Sequence, residues 1–427
     1  MRASKRFINK KPMHQRRKEV LVIFISGLIV FSAIFIYSYI RYSPVLFSEH
    51  PKINIVCNEE LSNDYSISCT IEIDSKNPKD TVGPLNSKIR IRGSGAGKGA
   101  NAWPKKGYRI ELSQQKSLLG LRKDDDWILF AMYMDYPRMR IKMCLELWRS
   151  LEPFNPTAIL PRSKYVTLYL NGEFQGLYLL AEKNDRRLFG LDDAQNNINS
   201  SLIFQYRYPD PIGIYRSENW EQDWPNEGEN IYIMDEIMTD LVFFIHDSSD
   251  ELFFNPINGI FAKFDKLNLI DFYLYNFFIL HGDFWNKNYY IARNTYPNKF
   301  FLIPWDFDRS LGQYIWKSSD AYDNREDLIR SRNEMYDRLI KNEEFMEDCK
   351  TRWKYLREEL WTNEYILEMA SEIYSDIKDL QEIDAQMWDP YPTITNNIKN
   401  SNQVDESVRE LFEWLTDRLD FCDSYFS

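Results

Sequence analysis

Residues 20–40, VLVIFISGLIVFSAIFIYSYI, form a run of 21 positions without a charge. An α-helix needs about 20 apolar residues to cross the hydrocarbon core of a bilayer, so the run has the length of a span. A cleaved signal peptide has a shorter apolar region, about 7–15 residues, closed by a small-residue cleavage site. No A-x-A site follows here, and the run reads as an uncleaved anchor. The flank before it is basic: the first twenty residues hold eight Lys or Arg against one Glu. Basic flanks stay in the cytosol. The sequence therefore predicts a single-pass membrane protein with a cytosolic tail over residues 1–19. Its transmembrane anchor covers residues 20–40, and the main domain is extracytoplasmic from residue 41.

Charge is split between the tail and the body. The chain carries −11 in all and the first twenty residues +7, which leaves −18 on the rest. An acidic body argues against a nucleic-acid partner, because phosphate contact needs clustered Lys and Arg. The aromatic content, 27 Tyr, 27 Phe and 12 Trp, is that of a chain with a packed core. Four His and the lack of a C-x-x-C spacing argue against a zinc site. Cys57 and Cys69 flank a strand–turn–strand pattern; a bridge between them and two separate thiols both fit.

Residues 51–75 alternate apolar and polar side chains as strands do, and so do 88–95 and 108–112. Residues 140–151 place Ile141, Cys144, Leu145 and Trp148 at helical spacing. Residues 164–183 read as a hairpin turning at Asn171-Gly172, a dipeptide suited to positive φ. Residues 205–262 look irregular, an insertion or long loops. A buried helix is expected over 269–280, strands over 288–294 and 299–307, and polar amphipathic helices from Glu326 onward. Strands first and helices later point to an α+β fold in two lobes. Residues 41–84 form N-terminal strands and linker, and the main domain, with a helical C-terminal part, covers 85–427.

The chemistry concentrates in HGDFWNKN, residues 281–288, where Asp283 and Asn288 have the spacing of the D-x-x-x-x-N catalytic loop of protein kinases. In that loop the Asp accepts the proton of the acceptor hydroxyl and the Asn holds magnesium. A plain turn is the alternative for that motif alone. WDFD, residues 305–308, follows 23 residues after Asp283 at a strand end. Asp306 and Phe307 match the start of a kinase D-F-G, with Asp308 in place of Gly; a helix or turn cap is the alternative. In WPKKGYRIEL, residues 103–112, either Lys105 or Lys106 can meet nucleotide phosphates, with solvated turn lysines as the alternative. Tyr108, Ile110 and Leu112 share one face of the strand. If the extended geometry runs back through Gly107, Lys106 faces inward and Lys105 outward.

Five blocks in order resemble the CotH family, the atypical protein kinases named after spore coat protein H. They are IRIRGSGAGKGANAWPKKGYRIEL; LLGLRKDDDWILFAMYMDYPRMRIKMCLEL; VTLYLNGEFQGLYLLAEK; the D-x-x-x-x-N loop with P-W-D-F-D; and RLIKNEEFMEDCKTRWKYLREE. The opening block is longer and richer in Gly and Ala than the family's Asn-Ser-Thr version. The resemblance implies an atypical kinase-like fold that transfers phosphate from ATP, with Mg2+ or Mn2+, to Ser or Thr of a protein substrate. It implies Asp283 as the catalytic acid/base and Asn288 with Asp306 as metal ligands. Lys106 is the phosphate Lys, with Lys105 its alternate, and Glu182 is the residue that fixes it. Tyr178 and Phe300 are candidates for stacking on a nucleobase, with plain core residues as the alternative. Two other readings remain: a catalytically inactive kinase-like surface protein that binds or builds, and a glycoside hydrolase using Asp283 and Asp306, whose carboxyls would have to lie about 5–10 Å apart.

Overall fold

The alternating pattern is carried by β1 (Lys52–Cys57), β2 (Ile67–Asp74), β3 (Val82–Arg92), β4 (Gly107–Ser117), β5 (Lys123–Phe130), β6 (Ser163–Leu170) and β7 (Glu173–Glu182). These strands close into a barrel in the order β1-β2-β3-β4-β5-β7-β6. Closure comes from a parallel pairing of β1 with β6, from Lys52↔Thr167 to Ile55↔Leu170. Every second side chain points inward, and Ile55, Ile71, Ile89, Ile110, Trp127, Leu129, Leu168 and Tyr178 fill the interior. A barrel this small is a packed core, not a pore. The structure is a computed structural model whose described residues are 50–92, 103–193, 200–206, 220–225, 231–282, 288–314, 317–388 and 404–427.

The β6–β7 hairpin turns at Asn171 and Gly172, with φ of 50° and 82°, the left-handed pair that a two-residue hairpin turn demands. Helix α1 (Arg140–Arg149) buries Ile141, Cys144, Leu145 and Trp148, as their spacing predicts. A second sheet has the order β11-β10-β8-β9, made of β8 (Leu202–Tyr206), β9 (Trp220–Trp224), β10 (Tyr289–Arg293) and β11 (Phe301–Pro304). Helices α2 (Ile231–Asp247), α3 (Asp250–Phe253) and α4 (Ile260–Lys263) lie in the stretch read as irregular. That expectation is corrected: the described part of 205–262 is largely regular.

Helix α5 (Lys266–Phe278) is buried from Asn268 to its end. The helical half then runs through α6 (Glu326–Arg332), α7 (Glu334–Lys341), α8 (Glu343–Glu359), α9 (Asn363–Met387) and α10 (Val404–Tyr425). Arg418 of α10 donates to the carbonyls of Phe277 and Phe278, which serves the open acceptors at the C-terminal end of α5.

Two further expectations are corrected. The fold is not a two-lobed kinase-like α+β fold: residues 50–427 form one compact unit built on a closed seven-stranded barrel with helices and a second sheet. Alternation reveals strands but not closure, which depends on pairing β1 with a strand more than a hundred residues away. The expectation of a single-pass membrane protein is corrected as well. No helix among the described residues is long and apolar enough to cross a membrane, and residues 20–40 lie outside the described residues.

Candidate active site

Helix α5 sets the site. Asp265 caps its first turn by accepting from Asn268 N at 2.8 Å. Asn268 then bonds both ways to the backbone of Leu302, its Oδ1 accepting at 2.7 Å and its Nδ2 donating at 3.1 Å, which fastens the helix beneath β11. The chain leaves α5 into the D-x-x-x-x-N loop and returns through β10 and β11, paired from Tyr289↔Pro304 to Ala292↔Phe301. Just beyond that pairing Trp305 N donates to Asn288 O at 2.9 Å. His281 Nε2 lies 2.8 Å from Asp306 O, and Gly282 N donates to Arg309 O at 2.8 Å. The two ends of the loop are thus laced to the W-D-F-D-R segment, and Asn288 is brought to the residue before Asp306. Asp283 lies outside the described residues.

Asn288 and Asp306 both have positive φ, 67° and 64°. Asn and Asp tolerate this region better than other side chains with a Cβ, and such residues collect at functional sites. Asn288 is buried, and its side-chain amide nitrogen has no hydrogen-bond partner among the described residues. The Asp306 side chain does not cap the short helix it precedes. An amide and a carboxylate, both oxygen donors, suit a hard divalent cation such as magnesium. Among the described residues no group of three or more His, Cys, Asp or Glu stands ready to hold a metal. The Asp-rich stretch ahead of Trp127 is not such a centre, because Asp124, Asp126 and Asp185 are matched by Arg122, Arg187, Lys183 and Arg109.

The lysines are placed contrary to expectation. Lys105 is the buried one: its Nζ donates to Leu177 O at 2.6 Å and to Asp384 Oδ1 at 2.7 Å, and lies 4.6 Å from the Tyr178 ring centre. Burial, and then the nearby Arg138, lower its pKa to about 8 against the pull of Asp384. Lys106 is half-buried. The faces are exchanged because residues 103–105 bend and extended geometry begins only at Gly107. Asp384 also accepts from Arg138 Nε at 2.7 Å and Leu177 N at 2.8 Å. Gly176 has φ +100°, and a Cβ there would stand 2.1 Å from Asp384 Oδ1. One carboxylate of α9 therefore joins the barrel to the helical half.

Three further assignments change. Glu182 does not meet a lysine: its oxygens accept from the backbone N–H groups of Arg122 at 2.8 Å and Arg162 at 2.9 Å. Tyr178 is fully buried inside the barrel against Tyr108, where no nucleobase can reach it. Phe300 packs on Phe264 at the end of β11 remote from Asp306, under the Arg293 guanidinium. Asp384 went unnoticed in the sequence, although a carboxylate in line with Ile377 and Leu380 on the apolar stripe of a helix was a signal.

The arrangement brings Asn288 beside a carboxylate-bearing strand end in a chain built on a closed barrel. A family model described as CotH kinase protein matches residues 89–422. The chain is also 23% identical over 387 residues to the inner spore coat protein H of Bacillus subtilis (strain 168), covering 87% of this chain and 95% of that protein. The matched span takes in the lysine turn, the N-G hairpin, both halves of the laced loop and α9. The chain belongs to the CotH kinase protein family.

Proposed function

We propose that this chain transfers the γ-phosphoryl group of ATP to a Ser or Thr hydroxyl of a protein substrate. The observation that carries the reading is the bond from Trp305 N to Asn288 O, 2.9 Å, which sets Asn288, the last residue of the D-x-x-x-x-N motif, beside the residue that precedes Asp306. In this reading Asp283 accepts the hydroxyl proton as the oxygen attacks phosphorus and ADP leaves. Asn288 and Asp306 hold Mg2+ or Mn2+, which when bound offsets the negative charge of the phosphates. Lys106 is the lysine that meets phosphate, since Lys105 is committed to Asp384.

The test is incubation of the purified chain with labelled ATP and either metal, comparing wild type with Asp283→Ala. Label should enter the chain or an added protein acceptor with wild type only. Label transferred equally by both would sink the assignment of Asp283, and no transfer by wild type would sink the reading. A second reading, an inactive kinase-like protein that binds or builds a surface, is favoured by the similarity to a spore coat protein. It predicts no transfer by either form.

A further inference from the structure

The cations around the barrel are largely committed: Arg109 pairs with Asp126, Arg138 and Lys105 with Asp384, and Arg140 with Asp135. Arg92 differs. It is the last residue of β3, opposite Gly107, and is half-buried. Its guanidinium lies 4.7 Å from the Phe130 ring centre and 5.4 Å from that of Trp305. Those rings are 5.8 Å apart and tilted by 57°. Both rings lie within cation–π distance of the guanidinium, which carries a rigid fork of five N–H donors suited to an oxygen-rich anion. No acceptor for that fork is found among the described residues. The platform is also in the right place, since Trp305 is bonded through its N–H to Asn288 O and is followed by Asp306.

We propose that Arg92 is the phosphate anchor of this site, binding the oxygens of a nucleotide's phosphate chain through its N–H fork. Such forks grip phosphate in pairs of charge-assisted hydrogen bonds. The rings fix the guanidinium before the ligand arrives, so little side-chain freedom is lost on binding. The proposal deepens the phosphotransfer reading and rests on it for the nucleotide. The anion site itself is a separate claim.

The experiment is calorimetric titration of the full chain, in magnesium buffer, with adenosine, ADP and pyrophosphate. The forms compared are wild type, Arg92→Met and Arg92→Lys, each checked for an unchanged melting curve. Wild type should bind ADP more tightly than adenosine. Arg92→Met keeps an apolar stem on the rings and should weaken ADP at least about tenfold while leaving adenosine unchanged. Arg92→Lys keeps the charge without the fork and should fall between; it also serves as the test form if Arg92→Met does not fold. A chain that binds pyrophosphate through Arg92 but neither adenosine nor ADP would support the anchor and defeat the nucleotide reading. Wild-type ADP and pyrophosphate affinity in both variants would overturn the proposal, and so would a wild type that binds neither anion.

Discussion

At the scale of single residues, the candidate metal ligands have distinct duties from the candidate base. Asp306→Asn removes a carboxylate charge and is expected to weaken divalent metal and nucleotide binding together, by about tenfold or more, because a metal held there would also offset the charge of the nucleotide's phosphates. Asp283→Asn should leave nucleotide binding nearly intact and stop transfer. Calorimetry on both variants decides, and equal loss of ATP binding would contradict the separation. Lys105 gives a pH signature. It gives up its proton near pH 8 in the folded chain, against 10.5 for an ordinary lysine. Between those values the unfolded chain holds the extra proton, so this group's contribution to stability rises with pH across that window. The full shift corresponds to roughly 3 kcal/mol. Melting temperatures of wild type relative to Lys105→Met should therefore climb from pH 8 to 10.5, and a gap independent of pH would refute the assignment.

At the scale of elements, the β1–β2 ladder settles a question that the sequence leaves open. Cys57 and Cys69 are register partners, both buried. Cys57 N donates away from β2, to Asn171 Oδ1 at 2.9 Å, and the carbonyl of Ile55 likewise serves Asn171 N on the β6 side. The cysteines therefore form a non-hydrogen-bonded pair, the type that brings Cα atoms to about 4.5 Å, inside the range of about 4.4–6.8 Å that disulfides span. Both are free thiols, and burial together with Cys57 pushes the Cys69 thiol up to about 12. Diamide takes up two electrons and two protons as it becomes the hydrazine, and should join these two sulfurs, faster as pH rises because the thiolate attacks. Alkylation after denaturation should then count three thiols instead of the five in the sequence, and mass spectrometry should find the 57–69 link. Five alkylated thiols after treatment would dismiss the pairing.

At the scale of the whole molecule, residues 50–427 hang together through a few long-range polar contacts as well as the core. Asp384→Ala leaves Lys105 and Arg138 buried without their carboxylate and is expected to cost about 3–5 kcal/mol. Because α9 reaches the barrel through that carboxylate and through Trp388 Nε1, which donates to Gln175 O at 2.8 Å, barrel and helices should still melt in one transition. Circular dichroism and tryptophan fluorescence should coincide in the variant; an early helical transition over an intact barrel would show weaker coupling. The sequence by itself determined the local elements: the strand at Tyr108–Leu112, the Asn171-Gly172 turn, helix α1, buried α5 and the two strands that follow the D-x-x-x-x-N loop. These are written in short-range periodicity and turn chemistry. It also determined the neighbourhood of Asn288 and Asp306, since a hairpin between two motifs brings its ends together. Only the tertiary structure decided that β1 meets β6 to close a barrel, that Glu182 serves backbone amides, and that Lys105 rather than Lys106 is buried. Those outcomes depend on partners far along the chain, Asp384 above all, and no local pattern of side chains encodes which distant carboxylate will enclose a charge.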